Sequence, residues 1–318
     1  MPFFSCVIEE KIEYPLRLDR YVSENLRLLS RSQIKVKLLK AKINGKEAKL
    51  SHSVKSKDHL ELQWEDALPL DIIPQDIPLD IVFENSRCVV INKVQGMVVH
   101  PGAGNRQGTL VNALLFHKMQ KDEKKEQIKS ESKRPGIVHR LDKDTSGLII
   151  AAWDDEALAF LSQQFKNRKV KKNYAAIVCG VPKEEKSSIE TYITRDPKNR
   201  KRFTVSSNTS DARAGKYALT YYKVVKKWKN YSLLLLRPKT GRTHQLRVHL
   251  RHIGCPILGD PVYGRADNMF PKASLLLHSK KLVINLPGEK DDRFFTSALP
   301  ERFLKIIEKL ENLGNING

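Results

Sequence analysis

Gly136-Ile137-Val138-His139-Arg140-Leu141-Asp142-Lys143-Asp144-Thr145-Ser146-Gly147 sets an imidazole, a guanidinium, two carboxylates and a Thr-Ser-Gly turn between two apolar, strand-like segments. Backbone amides and hydroxyls of a tight turn, placed beside carboxylates, are what a site needs to hold a charged group in a fixed pose. Most polar loops between strands do no more than join them. Spacing alone leaves both readings open, so the rest of the chain has to weigh them.

The 318 residues have room for a large core and more than one domain. An excess of 57 Lys plus Arg over 36 Asp plus Glu gives a net charge of +21. A surplus of this size favours a polyanionic partner, nucleic acid first and an anionic membrane second. The membrane option is weaker, because no apolar run approaches the roughly 20 residues a spanning helix needs. The N-terminal stretch turns acidic at Glu9-Glu10, unlike a signal peptide. The four cysteines, at 6, 88, 179 and 255, form no CxxC pair and fit reduced thiols in a cytoplasmic protein.

Composition divides the chain into blocks. Leu16 to Trp64 carries 12 Lys or Arg against 5 acids. Within it, Leu16 to Val22 reads as a short amphipathic helix. A second helix is predicted from Ser30, where Ser30 and Gln33 have capping-box spacing. In that helix Ile34 and Leu38 share an apolar stripe, and Arg31 and Lys35 a basic one. Ile43-Asn44-Gly45-Lys46 predicts a hairpin turn. A basic helix face beside a hairpin is suited to tracking phosphates. Asp66 to Pro78 is a Pro-containing connector, and from Leu79 onward strand-like runs alternate with helices. Strands are expected at Leu79–Phe83, Cys88–Asn92, Leu148–Trp153, Tyr174–Gly180 and Tyr231–Leu236. Helices are expected at Thr109–His117, after an Asp154 or Asp155 cap, and from a Thr243 cap to Gly254. In residues 118–134, 11 of 17 are charged, which reads as a solvated loop.

In the last helix His244, Arg247 and Arg251 share one face. His244, His249 and His252 are poor metal ligands, since Arg247 and Arg251 among them would repel a dication. His139 with Asp142 lacks further ligands at a convincing spacing. No Walker loop, G-x-S-x-G elbow or G-x-G-x-x-G fingerprint is present. What remains is a carboxylate turn, a strand tyrosine and an Arg-bearing helix in a basic protein. On composition alone, Asp144 rivals Asp142 as the reactive acid.

Residues 17–46, "RLDRYVSENLRLLSRSQIKVKLLKAKINGK", resemble the S4 RNA-binding domain. Farther on, "HRLDKDTSGLIIAA", "KNYAAIVCG" and "RPKTGRTHQLRVHLRHIGCPILGDPVYG" are similar in order and spacing to the motifs of the RluA-type pseudouridine synthases. With "GMVVHPGAGNRQGTLVNALL" ahead of them, the likeness is greatest to the members that act on large-subunit ribosomal RNA. The resemblance implies an α+β chain: an S4-like domain at 14–66, a linker at 67–78, and a catalytic domain at 79–318 around a mixed, mostly antiparallel sheet. It implies isomerisation of uridine to pseudouridine in 23S ribosomal RNA, or in the assembling large subunit, by a cytoplasmic monomer without metal or cofactor. Two rivals stand beside this reading: a non-catalytic RNA-binding or assembly factor, and a sister synthase with other target uridines.

By motif register, Asp142 is the nucleophile or glycal-forming base, Tyr174 the aromatic against the target base, and Arg247 the partner of the aspartate. Arg140 has two roles open to it, filling the space a flipped base leaves or binding its phosphate. Thr145, Arg242, His244, Gln245, Arg31 and Lys35 are the expected RNA contacts. The chemistry suits one carboxylate in a dry aromatic pocket. Uracil departs as a delocalised anion, so the second carboxylate of a glycosidase is not required. Tyr174 offers a flat face to a flipped base, a stacking interaction of about 1–3 kcal/mol, and a bidentate Arg247 would favour the charged form of its partner. The chain departs from the pattern at Ser274-Leu275, where an Arg-Gln pair is common, and at Leu286, where a His often stands.

Overall fold

The computed structural model describes the chain apart from residues 1–2, 13, 27, 30–33, 35–37, 65–71, 103, 122–135, 200–201, 207–214 and 317–318. The chain divides into two compact units, Met1–Asp71 and Ile72–Gly318.

The first unit contains β1 (Phe3–Val7), β2 (Leu16–Arg17), α1 (Leu18–Arg20), β3 (Leu38–Ile43), β4 (Lys46–Glu47), β5 (Ser53–Val54) and β6 (His59–Trp64). Its main sheet has the order β1-β6-β3-β4, and β2 pairs with β5. The predicted hairpin joins β3 to β4 through Asn44 (φ 52°) and Gly45 (φ 78°). Both central residues are left-handed, the conformation a type I′ turn needs and Asn-Gly supplies cheaply. The helix expected from Leu16 begins two residues later, because Leu16 and Arg17 pair with Val54 and Ser53. α1 runs on into a wider turn over Tyr21–Asn25. Ile8, Leu18, Val22, Ile34, Leu60 and Leu62 form the core. Arg31, Lys35 and most of the helix expected from Ser30 lie outside the described residues.

The second unit contains β7 (Ile81–Glu84), β8 (Cys88–Lys93), α2 (Leu110–Lys121), β9 (Gly136–Ile137), β10 (Ser146–Ala152), α3 (Asp155–Lys166), β11 (Lys171–Cys179), β12 (Lys186–Arg195) and β13 (Phe203–Val205). It continues with β14 (Lys216–Lys227), β15 (Tyr231–Pro238), α4 (Gln245–His252), β16 (Leu277–Asn285), β17 (Asp292–Thr296) and α5 (Glu301–Ile316). The strands form an eleven-stranded sheet, β13-β12-β14-β15-β11-β16-β10-β8-β7, with β17 on β16 and β9 on β10. The β10–β16 pairing is parallel and the others are antiparallel, so the architecture is α+β with a mixed, mostly antiparallel sheet.

Every residue of β10 is buried. One of its faces packs Ile149 and Ala151 with Val89, Ile91 and, from α2, Leu110 and Leu114. The other packs Leu148 and Ile150 with Cys88, Val90 and, from α3, Ala157 and Leu161. Burial on both faces is why this strand reads as a continuous apolar run. Asp154 caps α3 by accepting from the Ala157 amide at 2.8 Å. Residues 118–121 of the expected charged loop continue α2, and the remainder lies outside the described residues. α4 starts at Gln245, with His244 as its cap residue in a left-handed conformation (φ 56°) and no side-chain cap bond. The expected Thr243 cap is therefore corrected.

Two core histidines give the fold an acid limit. His249 sits between the hydroxyls of Thr191 and Thr220, each at 3.0 Å, and His278 lies 2.9 Å from Ser146 Oγ. Burial pushes both down to about 4, His252 adding for the first and Arg302 and Lys280 for the second. The unfolded chain takes up these protons near pH 6.5. Between there and pH 4 it binds protons the folded state refuses, so stability falls as pH drops through that window. The loss per histidine is on the order of 3 kcal/mol once pH is below the folded value. Thermal midpoints should fall steadily from pH 7 to 4.5, and a flat profile would contradict the assignment.

Candidate active site

The turn between β9 and β10 carries Asp142 and is fixed from beneath by the 93–97 segment. Thr145 N donates to Asp142 O at 3.1 Å, and Gly96 N donates to Lys143 O at 2.9 Å. Gln95 Nε2 donates to Asp144 O and to Leu275 O, both at 2.9 Å, while Ser274 Oγ donates to Gln95 Oε1 at 2.8 Å. Ser274 and Leu275, the departure noted in the sequence, are thus part of the brace. Lys93 is fully buried, and its Nζ donates to the carbonyls of Val94, Met97 and Lys143 at 2.9, 2.9 and 3.1 Å. Burial brings its ammonium down to about 8 against the nearby charges of Asp144 and Asp142, with Arg302 lowering it further. After the turn, Gly147 takes φ 107°, and a Cβ there would lie 2.3 Å from Ser279 O. The close parallel approach of β10 and β16 therefore requires glycine at this position.

Asp142 opens onto a cleft of about 440 Å³. Among the described residues lining it, Asp142 is the single acid, while Arg140, Lys166, Arg168, Lys172, Lys239, Arg242 and Arg247 supply cations. Asp144 is not among the described lining residues, and its backbone oxygen accepts from Gln95.

Arg247, on α4, is buried and reaches two carboxylates. Its Nε and Nη2 donate to Asp260 Oδ2 and Oδ1 at 2.8 and 2.7 Å, and its Nη1 lies 3.4 Å from Asp142 Oδ2. The expected bidentate pair is thus with Asp260, and Asp142 receives one longer contact. Asp260 also accepts from the amides of Val262 and Tyr263, at 2.8 and 2.9 Å. Burial opposes its ionisation, yet the Arg247 guanidinium and these amides hold its carboxyl below the usual range. Arg247 is in turn raised, its burial outweighed by the charges of Asp260 and Asp142. The guanidinium also lies 5.1 Å from the Tyr263 ring.

Tyr174 stands on β11 beside a register shift, and its ring borders the cleft. Burial pushes its hydroxyl up to about 12, with a hydrogen bond to Ser279 opposing and the Asp142 charge adding. Opposite lies His244, whose Nε2 is 3.9 Å from Asp142 Oδ2 and whose Nδ1 is 2.9 Å from Tyr263 Oη. The Phe203 amide donates to the same hydroxyl at 2.8 Å. With Tyr263 Oη already accepting from Phe203 N, donation of its hydrogen to His244 Nδ1 would leave the imidazole proton on Nε2, facing Asp142. Burial lowers His244, partly offset by Asp142.

The other expected contacts divide. Arg140 is exposed at the cleft mouth. Arg242 lines the cleft and donates from Nε to Tyr217 O at 2.9 Å. Thr145 is buried, with its Oγ1 lacking a hydrogen-bond partner. Gln245 is also buried; it accepts from Thr240 Oγ1 and Arg242 N and donates to Leu219 O and Thr220 Oγ1. Its amide supports the Thr240–Arg242 turn from within, while the residue also lines the cleft. His139 is a support as well. It accepts from Ile150 N at 3.1 Å, stacks on Phe165 at 4.5 Å, and is pushed down by burial and then by Lys172 to about 3. Among the described residues no cluster of three His, Cys, Asp or Glu side chains could hold a metal. Sequence reasoning missed Asp260, Tyr263, Lys93 and Gln95. The first two stood inside a quoted motif, but carry no signal of partnership until α4 folds back.

A single carboxylate under a buried arginine, at the mouth of a basic cleft on a mixed sheet, is the setting in which the similarity to known proteins falls. Residues 87–252, more than half the chain, match the family pattern described as RNA pseudouridylate synthase, and the chain belongs to that family of enzymes. Over 96% of its length it is 44% identical to the ribosomal large subunit pseudouridine synthase D of Borreliella burgdorferi, of which it covers 93%. It is 40% identical to an uncharacterized RNA pseudouridine synthase of Chlorobaculum parvum, with 95% and 96% of the two chains covered. Among solved structures, human RNA pseudouridylate synthase domain containing 4 superposes with a TM-score of 0.59 at 26% identity, over 73% of this chain and 92% of that one.

Proposed function

We propose that the protein isomerises uridine to pseudouridine in large-subunit ribosomal RNA, with Asp142 as the attacking carboxylate. The observation that carries this reading is the convergence of Arg247 Nη1 and His244 Nε2 on Asp142 Oδ2, at 3.4 and 3.9 Å, in a cleft with no other acid among its described lining residues. The 44% identity to a large-subunit synthase supports the choice of RNA.

The target uridine leaves its stack and enters the cleft, where Tyr174 faces the base. Asp142 bonds to C1′ as the N1–C1′ bond breaks, and uracil departs as an anion. The base turns, C5 bonds to C1′ and the carboxylate leaves; C5 then gives up its proton and N1 gains one. No redox partner or cofactor enters this balance. Arg247, itself locked by Asp260, fixes the carboxylate in place. Neutral His244 offers its Nε2–H to that carboxylate or to a sugar oxygen brought beside it. Arg140 and the lysines of the rim meet flanking phosphates. Within the Met1–Asp71 unit, residues 14–66 are the S4-like RNA-binding module of this reading, with Arg31 and Lys35 as its expected phosphate contacts. Residues 67–78 connect it to the catalytic part, 79–318. The protein works as a cytoplasmic monomer on 23S RNA or the assembling subunit.

Purified protein incubated with unmodified 23S transcript and a chelator should yield pseudouridine, mapped by carbodiimide chemistry and mass spectrometry. No product would refute the reading. Sites missing from a deletion strain would separate it from a sister enzyme with other targets. Tyr263→Phe tests the histidine: removing the hydroxyl frees the tautomer, and kcat should fall about tenfold, or 1.4 kcal/mol, with KM nearly unchanged. An unaltered kcat would show that the proton on His244 Nε2 plays no part.

A further inference from the structure

The catalytic sheet presents a second groove, rimmed by cations, on the side away from Asp142. Successive residues of a strand point to opposite faces. Lys172 and Tyr174 of β11 and Pro238 of β15 border the active-site cleft. Their neighbours Lys171, Asn173 and Arg237 instead line a separate groove of about 540 Å³, with Tyr221 and Lys223 of β14 and Lys281 of β16. Leu235 and Val283 also line it. Tyr221 is 43% exposed and lies opposite Arg237 in register. At one margin Phe294, 69% exposed and opposite Val283, carries Lys281 Nζ 5.2 Å from its ring centre.

The charge balance of this groove is one-sided. Lys223, Arg237, Lys171 and Lys281 sit on four adjacent strands, a width of roughly 14 Å at the usual strand spacing. Among the described residues Asp292 is the one carboxylate within ion-pair reach of any of the four, and it stands 4.0 Å from Lys171. Like charges on neighbouring strands repel and oppose folding. A polyanion running across the strands would relieve that repulsion, while Tyr221 and Asn173 add a ring face and an amide of the kind that meets sugars and bases.

We infer that this groove is a second RNA-binding surface, which holds phosphates of the substrate RNA at a distance from the target uridine. The inference rests on the reading of the protein as an enzyme of large RNA. It assigns the groove to affinity for long RNA and leaves the chemistry to the cleft. A short stem-loop carrying the target uridine would fill the cleft alone, whereas full-length 23S transcript would engage both.

The test is the triple variant Lys223→Gln, Arg237→Gln, Lys281→Gln in the full chain, alongside the wild type. With 23S transcript, binding should weaken at least tenfold at physiological salt. The slope of log affinity against log salt should fall by about 2 to 3, since each of the three lost phosphate contacts removes about 0.7 to 0.9. With the short stem-loop, kcat should stay at the wild-type value. A second measurement needs no substitution: bound 23S transcript should protect Lys171, Lys223 and Lys281 of the wild type from acetylation, read by mass spectrometry. Unchanged affinity and salt slope, unprotected lysines, or equal losses on short and long RNA would each overturn the inference. Wild-type protein that binds and is protected but makes no pseudouridine would refute the enzymatic reading and leave the groove standing.

Discussion

Asp142→Asn is expected to abolish pseudouridine formation, lowering kcat by at least about 10⁴-fold, near 5.5 kcal/mol of transition-state stabilisation. The substitution keeps the size and the turn, since the bond from Thr145 N goes to the backbone oxygen of residue 142 and not to its side chain. It replaces the only acid among the described residues of the cleft with a neutral amide that cannot bond to C1′. RNA affinity should change little, because the cleft's seven cations remain. Asp144→Asn is the matched control. Its turn contact is also made by the backbone, through Gln95, and activity should persist within a few-fold. Single-turnover assays on 23S transcript, with filter binding alongside, read both outcomes. Activity retained in the Asp142 variant, or lost in the Asp144 variant, would reverse the assignment.

How much of this was legible beforehand depends on what each feature rests on. β10 was readable because a strand buried on both faces is an uninterrupted apolar run, and the hairpin because Asn44-Gly45 tolerates two left-handed residues. The α3 cap was readable because its donor and acceptor are three residues apart. All of these are local. The start of α4 was misread because Thr243 has the right side chain for a cap, while tertiary contacts hold His244 left-handed between Tyr263 and Phe203. The supporting bonds of Gln245 were hidden for a related reason: two of its partners, Leu219 and Thr220, lie on β14. The Arg247–Asp260 pair spans 13 residues, and nothing in periodicity links them. Choosing Asp142 over Asp144 needed motif register in the sequence. In three dimensions Asp142 lines the cleft and Asp144 is not among its described lining residues.

The second large effect is expected at that pair. Asp260→Asn places a donor against a guanidinium that is 5% exposed, while Asp142 stands 3.4 Å from Nη1 as its remaining carboxylate contact. Breaking one side of a buried pair typically costs about 3–5 kcal/mol, because the other charge is left uncompensated. Arg247→Met should cost a similar amount by stranding Asp260, whose side chain is fully buried, with only two amide donors. Catalysis separates the two. Asp260→Asn leaves Arg247 free to turn toward Asp142 and should lower kcat tenfold to a hundredfold, about 1.4–3 kcal/mol. Arg247→Met removes the cation itself and should lower kcat further. The double variant Arg247→Met, Asp260→Leu is the decisive case. Replacing both members of a buried pair with apolar groups is often neutral or stabilising, but leucine leaves the Val262 and Tyr263 amides without their acceptor, so its urea midpoint should recover part of the loss while kcat stays with the Arg247→Met value. Recovery of kcat along with stability would mean that Arg247 serves the fold alone, and that Asp142 needs no cation to hold it in place.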